Sequence, residues 1–535
     1  MNNLVPRRPT WPYLILIHVL LWWLVTSLFN RGLDNYGDMV ENYAWAQSMD
    51  WGTFKHPPLV AWIVHAWFMW MPTTVWSYYL LAWLNVGLTL WGIAALAKIF
   101  ALNASLSNSP LRSNETVADI QWTAVAFGSL LFPLSTLASK YNANAVLLPF
   151  WVWATVFLLK SWLEKGWRGI LSTVALALFA ALGMLGKYYT GVLLFGFFIA
   201  SLLHPVGRRW YRSSKPYVSL VLFLIFLMPH LQWVKAHDYI TFKYAEEQGD
   251  GHVSIKHLIS FAASYYYYAV LLWLAAFICL LRPDSEHNSK QSIANITKSV
   301  SMFFKTTFPR ASDGLLCLAF ALLPMLISIA FAITGFVELT AHWAIPIWYA
   351  LPILAIAKRQ RPMDSITLAQ LWRVMLCIWT LVALVGAGRG VLVNTPYGQI
   401  SIPRETLANA IAQDPNTQHI GWVSGMWQEA ASLAYFMDAK NANHPRALPT
   451  TPDSKDALLN PLKDWQHMNG LIVCVLLPAK YAAPADYLAC KSNTETWLQA
   501  HQSNIDKKTF NVPAPAWFGT SVATLTATVY YYHAQ

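Results

Sequence analysis

Long apolar stretches separated by short loops that collect Lys and Arg leave this chain one broad solution, a bundle of helices across a bilayer. A helix of about twenty apolar residues satisfies its own backbone hydrogen bonds where no water can. Such stretches run from Trp11 to Phe29, Val75 to Ile99, Ile120 to Leu137, Val146 to Leu163, Val218 to Trp233, Phe261 to Leu281, Leu315 to Phe336, Trp343 to Ala357 and Leu371 to Val393. A further stretch between Arg168 and Arg208 is long enough to cross twice, turning at Gly186-Lys187-Tyr188-Tyr189. Only 12% of the 535 residues are charged, against about 25% in soluble domains. The expected fold class is an α-helical polytopic membrane protein with about eleven to thirteen transmembrane helices.

Charge bias orients the bundle. Arg7 and Arg8 place the N-terminus in the cytoplasm, and Lys98, Arg112, Lys160, Lys165, Arg208 and the Lys358–Arg361 run fall inside by the same count. The first apolar stretch has the basic flank of a signal peptide but no small-residue cleavage pattern near Ser27–Asn30, so it reads as a retained span. The net charge of +11 follows from this topology. No basic helix or aromatic-basic interleaving points to nucleic acid.

From Asn394 the composition becomes that of a small soluble domain, so residues 1–393 are expected to form the membrane domain and residues 394–535 an outer α/β domain. Pro403 to Ala412 and Gln428 to Met437 read as helices. His419 to Val423, Leu471 to Leu477 and Thr520 to Tyr532 read as strands. Cys474 and Cys490 fall here, and a pairing between them stays open on sequence alone.

The first outer loop, residues 31–74, carries the densest chemistry. Asp38 and Glu41 stand three apart and share a face if this stretch is helical, while Tyr43, Trp45, Ala46 and Met49 supply apolar positions for lying along a bilayer surface or against neighbouring helices. Asp38 is the sharpest candidate, a carboxylate able to take a proton from an acceptor hydroxyl. Its structural alternative is an acid at a helix N-terminus. Glu41 is a second base or ligand, or else part of a solvated face. Asp34 and Asp50 read as exposed loop residues. Lys55-His56-Pro57-Pro58 precedes a segment, Pro57 to Met71, too short to cross, which reads as a surface or re-entrant helix. Lys55 and His56 there suit a phosphate, although Lys55 can simply snorkel. Lys187 breaks the positive-inside pattern at an outer mouth and suits the same phosphate, with Tyr188 beside it. His230, His237, Glu338 and His342 also lie at outer span ends. With His56 and Glu41 they supply metal-ligand chemistry, but scattered interfacial His is more often ordinary hydrogen bonding, and no cofactor or divalent metal is expected.

These residues resemble the GT-C glycosyltransferases of family 39/83 type, which include bacterial relatives of protein O-mannosyltransferases, aminoarabinose transferases and galacturonosyltransferases. The resemblance covers most of residues 10–395. It rests on Asp38, the helix around Tyr43–Gln47, the His56-Pro57-Pro58-Leu59 step, Leu185-Gly186-Lys187-Tyr188-Tyr189, Pro229 through Trp233 to His237, and His342-Trp343 before a Pro-rich span. Two departures stand out: Met39 occupies the position of the usual Glu after the Asp, and Asn144, after Asn142, occupies that of a second-loop acid. Glu41 and the amides of Asn142 and Asn144 are the replacements on hand.

The resemblance implies a multi-pass protein of the bacterial inner membrane with outer juxtamembrane helices and a periplasmic C-terminal domain. It implies transfer of a sugar from a polyprenyl-phosphate donor to a periplasmic-face acceptor, lipid A or another lipopolysaccharide sugar first, by inverting displacement. Asp38 would orient or deprotonate the nucleophile. Lys187 and His56, with Lys55 and Tyr188, would hold the departing phosphate, and Tyr43, Asn142, Asn144, His230, His237 and His342 would line the cleft. The competing readings are a lipid-linked-sugar flippase and a non-catalytic relative that only binds polyprenyl phosphate. A flippase predicts ionisable residues deep within spans and repeat symmetry; here the polar groups gather at span ends.

Overall fold

The computed structural model describes residues 8–30, 32–103, 116–247, 253–281, 315–335, 339–358, 364–392, 402–438, 444–454, 462–478, 482–501, 504–513 and 524–534, with 301, 303, 305, 307, 308 and 310. Eight helices among them are long and apolar enough to cross a membrane: Trp11–Phe29, Val75–Leu102, Ala143–Leu163, Gly166–Gly186, Lys215–Ala236, Ile255–Leu280, Leu316–Ile333 and Ser365–Val391. The chain is therefore a multi-pass α-helical membrane protein, as the hydropathy pattern requires.

Three expected crossings are shorter or broken. The segment expected from Ile120 ends as a helix at Gly128 and continues through a 3-10 turn at Phe132–Leu134. Thr190–Leu203 has 14 residues. The segment from Trp343 is split into two 3-10 turns and the helix Leu351–Ala357, because Pro346 and Pro352 lack the N–H that a continuous helix needs. Hydropathy counts apolar residues and does not see these breaks.

The loop between Asn30 and Val75 folds into two short helices. We label Trp11–Phe29 α1, Asp38–Ala46 α2 and Leu59–Phe68 α3. Eight of the nine residues in α2, all from Met39 onward, are at most 6% exposed, Glu41 among them at 4%, so α2 is wedged against neighbouring protein rather than laid on a bilayer surface. Pro57 and Pro58 set the start of α3, where a missing N–H costs nothing.

The C-terminal region forms a five-stranded sheet of β1 (Ile420–Gly425), β2 (Arg446–Ala447), β3 (Asn469–Leu476), β4 (Asp506–Pro513) and β5 (Thr524–Tyr532) in the order β2-β1-β3-β5-β4. β1 runs parallel to β2 and β3, whereas β5 is antiparallel to β3 and β4. The near-continuous apolar run of β3 is buried on both faces, as such runs in α/β sheets are. Helices Arg404–Ala412, Trp427–Asp438 and Pro484–His501 complete the α/β layer. Cys474 on β3 and Cys490 on the last helix are joined, closing a loop of sequence separation 16.

The sheet region is locked to α2. Tyr43 donates to Asp438 Oδ2 at 2.6 Å, and Gln47 pairs with the Pro445 carbonyl at 3.0 Å and the Ala447 N–H at 2.9 Å. Gly37 sits at φ +82°, and a Cβ there would lie 2.6 Å from Gln428 Cγ. Only glycine meets both demands without strain.

Candidate active site

Asp38 opens α2, and its position is set from three sides. Asp34 accepts hydrogen bonds from the backbone N–H of Asp38 at 3.0 Å and of Met39 at 2.8 Å, capping the helix four residues upstream of its start. Asp34 is thus half-buried and structural, not the exposed loop residue its polar surroundings suggest. Burial, with the charge of Asp38 next, raises its pKa. Met39, buried at 0% exposure, points into the core, and its carbonyl accepts from Tyr78 Oη at 2.8 Å. The third partner is Asn142, whose amide nitrogen donates to Asp38 Oδ2 at 3.3 Å.

Asn142 is itself fixed. Its Oδ1 caps the helix Ala143–Leu163 by accepting from the N–H groups of Asn144 and Ala145, both at 3.1 Å. With the oxygen committed to the cap, the NH2 group must face Asp38.

One residue further, Asn144 Oδ1 accepts from Lys187 Nζ at 2.8 Å. Lys187 ends the helix Gly166–Gly186, and its ammonium lies 3.8 Å from the centroid of the Trp343 ring, over the indole face. Burial, reinforced by the charge of Lys55, pulls its pKa down to about 7, with Asp38 opposing. Among the described residues its ammonium bonds the Asn144 amide and forms no ion pair with a carboxylate.

Lys55 approaches from the loop before α3. Its ammonium donates to Glu41 Oε2 at 2.9 Å, while Glu41 Oε1 accepts from Trp427 Nε1 at 2.8 Å. Burial raises the pKa of Glu41, against the pull of Lys55 and Trp427. Lys55 loses to burial but gains more from Glu41, Tyr244 and Asp38, so its pKa is raised and it stays charged. Both carboxylate oxygens of Glu41 are engaged, which makes it the anchor of Lys55 rather than a second free base.

His56 is half-buried, its ring packed edge-on against Trp45 and Tyr244. Burial first, then the charges of Lys187 and Lys55, hold its pKa well below the usual imidazole range. It is a neutral hydrogen-bonding group, not a cation. His342 sits exposed at the mouth, where burial, Lys140 and Lys187 lower its pKa and Asp38 raises it.

The remaining candidates are placed elsewhere. Tyr43 points its hydroxyl at Asp438 and joins α2 to the sheet region, so it does not line the cleft. Tyr188 turns its hydroxyl to His230 Nε2 at 2.8 Å and Thr241 at 2.9 Å and stacks on Phe242. His230 also contacts the Trp51 carbonyl through Nδ1 at 2.6 Å, so this chain ties the first loop to the helix Lys215–Ala236. His237 stacks on Trp233 at 4.1 Å and contacts its carbonyl. Trp233 in turn lies against Gly52, where a Cβ would come within 2.3 Å of the ring. Glu338 lies outside the described residues. Among the described residues no group of three or more His, Cys, Asp and Glu side chains is arranged to hold a metal.

The arrangement is a partly exposed carboxylate with an oriented amide on one side and two lysines, a neutral histidine and an indole face on the other. It can hold an oxyanion at the lysines while a nucleophile is oriented at Asp38. The sequence missed Asp34, Trp427, Arg404 and Tyr244. For Asp34 a signal existed, an Asp followed by Gly37 just before a helix; for Trp427 and Arg404 none did.

Residues 112–233 match the family model described as dolichyl-phosphate-mannose-protein mannosyltransferase. Over 235 residues, 44% of this chain and 45% of the relative, the sequence is 23% identical to the lipid A galacturonosyltransferase RgtD of Rhizobium johnstonii, so the match spans about half of that protein. The crystal structure of ArnT from Cupriavidus metallidurans bound to undecaprenyl phosphate aligns over 98% of both chains at 13% identity and a TM-score of 0.46; the apo form gives 0.42. By the family match and the curated relative the chain is similar to membrane glycosyltransferases of the GT-C type, the class its motifs resemble. Within that class the curated similarity is to a lipid A galacturonosyltransferase.

Proposed function

We propose that this chain is a bacterial inner-membrane glycosyltransferase that moves a sugar from a polyprenyl-phosphate donor to lipid A or another lipopolysaccharide sugar at the periplasmic face. On this reading α2, α3 and the C-terminal α/β region all lie on the periplasmic side. The observation that carries it is the pairing of Asp38, held by Asn142 at 3.3 Å, with Lys187, held by Asn144 at 2.8 Å, on the first turn of one helix. One element thereby sets the spacing between a base and a phosphate anchor. The similarity to a lipid A galacturonosyltransferase supports the acceptor class.

The reaction is a single inverting displacement. The acceptor oxygen attacks the anomeric carbon as the bond from that carbon to the phosphate oxygen breaks, and the phosphate leaves with the electron pair. Lys55 and Lys187 stabilise the charge that develops on it, and neutral His56 donates a hydrogen bond. A hydroxyl acceptor gives its proton to Asp38. A phosphate acceptor is already ionised, and Asp38 then only positions it.

The test is purified full-length protein in lipid nanodiscs with a polyprenyl-phosphate-linked sugar and lipid A. Sugar on lipid A and released polyprenyl phosphate are the expected products. With a hydroxyl acceptor, Asp38→Asn is expected to lower kcat by about 10²–10⁴-fold, the worth of a general base. Unimpaired release by Asp38→Asn from every acceptor would remove this assignment. Donor binding without release by the native protein would identify a non-catalytic binder.

A further inference from the structure

The helix Trp427–Asp438 of the C-terminal region reaches back into the cluster around Asp38. Trp427 donates its indole N–H to Glu41 Oε1 at 2.8 Å, and the other oxygen of that carboxylate accepts from Lys55 at 2.9 Å. Glu41 is 4% exposed, and among the described residues these two donors are the side-chain partners of its carboxylate, so its orientation depends on them. The Trp427 ring also packs on Phe54, next to Lys55, with centroids 6.4 Å apart.

A second arm runs in parallel. Arg404 makes a buried, multiply hydrogen-bonded ion pair with Glu429, with Nη2 2.7 Å from Oε1, and donates Nη1 to the carbonyls of Asp34 at 3.3 Å and Asn35 at 3.1 Å. Asp34 is the residue whose carboxylate caps Asp38 and Met39. Two helices of the C-terminal region, tied together by the Arg404–Glu429 pair, therefore touch α2, one at its capping residue and the other at its buried acid.

We propose that Trp427 is a positioning residue: by holding the Glu41 carboxylate it fixes the ammonium of Lys55 for the phosphate of the donor, so that the site is incomplete without the C-terminal α/β region. This rests on the proposed function for the identity of the phosphate, but the geometry of Lys55 is tested separately from it. A purely structural Trp427 would change how much protein folds and leave the donor KM of the folded fraction untouched.

The experiment uses the full chain in nanodiscs with Trp427→Phe, which keeps the ring and removes the donor, Trp427→Tyr, which keeps a donor, Glu41→Gln, and the Trp427→Phe/Glu41→Gln pair. Two readouts are taken: donor KM against kcat, and the rate at which N-hydroxysuccinimide acetate acylates Lys55, followed by peptide mass spectrometry. Trp427→Phe is expected to lower kcat/KM for the donor about ten-fold, the scale of one hydrogen bond to a charged group, with KM raised and kcat lowered together, and Lys55 acylated several-fold faster. Trp427→Tyr restores both in part, and the double variant is no worse than Glu41→Gln alone. Unchanged KM and unchanged Lys55 acylation in Trp427→Phe, or additive effects in the pair, overturn the proposal. If the Phe variant does not accumulate, Glu41→Gln reads the same contact from the acceptor side, and native-like acylation of Lys55 there overturns it equally. If the native protein transfers no sugar, the proposed reaction fails and the acylation arm alone decides the role of Trp427.

Discussion

Asn142 uses the two ends of one amide for two tasks: its oxygen caps the helix that begins at Ala143, and its nitrogen holds the carboxylate of Asp38. Helix stability and site geometry are coupled through a single side chain.

That coupling can be separated by substitution. Asn142→Asp keeps a good cap but puts a negative charge where Asp38 now finds a donor. Its melting temperature is expected to stay near native while kcat falls at least about ten-fold. Asn142→Ala loses both functions and is expected to cost about 1 kcal/mol of stability as well. Thermal unfolding and steady-state turnover on the same samples distinguish the two.

Lys187 gives the site a pH dependence of definite sign. Its pKa near 7 means that the free protein loses this cation as pH rises through neutrality. A bound phosphodiester stabilises the ammonium and so raises that pKa, which makes donor binding take up a proton above about pH 7. Donor affinity is therefore expected to weaken between pH 7 and 9, by up to about ten-fold per pH unit. Calorimetry in buffers of different ionisation enthalpy measures the uptake directly. Lys187→Arg, always charged, is expected to flatten the profile.

Arg404 and Glu429, 8% and 2% exposed, form an ion pair whose halves cannot be removed singly without stranding the other. Arg404→Met is expected to destabilise by about 3–5 kcal/mol, whereas Arg404→Met with Glu429→Leu recovers most of that loss. Because Arg404 also holds the Asp34 and Asn35 carbonyls, the double variant should fold and still turn over slowly. Unfolding curves read the first effect and kcat the second.

Gly37 offers a test of how closely the sheet region presses on the first loop. Gly37→Ala meets both a left-handed backbone and Gln428 Cγ at 2.6 Å, so it is expected to lower stability by about 1–3 kcal/mol. Adding Gln428→Ala should recover the part due to the clash and leave the part due to φ. The two contributions are read from the unfolding midpoints of the single and double variants.

Much of the site was legible because its residues break a strong local pattern. A carboxylate, a Lys-His-Pro-Pro step and a basic residue between two apolar stretches stand out, and Asp38, Lys55, His56 and Lys187 lie close enough to act on one another's charge. The same local logic failed for Asp34, Tyr43, Tyr188 and His237, whose polar groups are absorbed by a cap, the Asp438 carboxylate, a histidine and a tryptophan ring. A sequence shows which side chain is able to bond, not which neighbour reaches it first.

The sequence by itself determined the multi-pass helical architecture, since hydrophobicity and positive charge are summed along the chain and need no partner to be read. It also determined most elements of the C-terminal sheet, through periodicity. Only the tertiary structure decided that Glu41 anchors Lys55 and that Trp427, 386 residues away, anchors Glu41. The reason is physical: in a buried site the two oxygens of a carboxylate go to whichever donors the packing delivers, and packing joins residues that no local pattern relates.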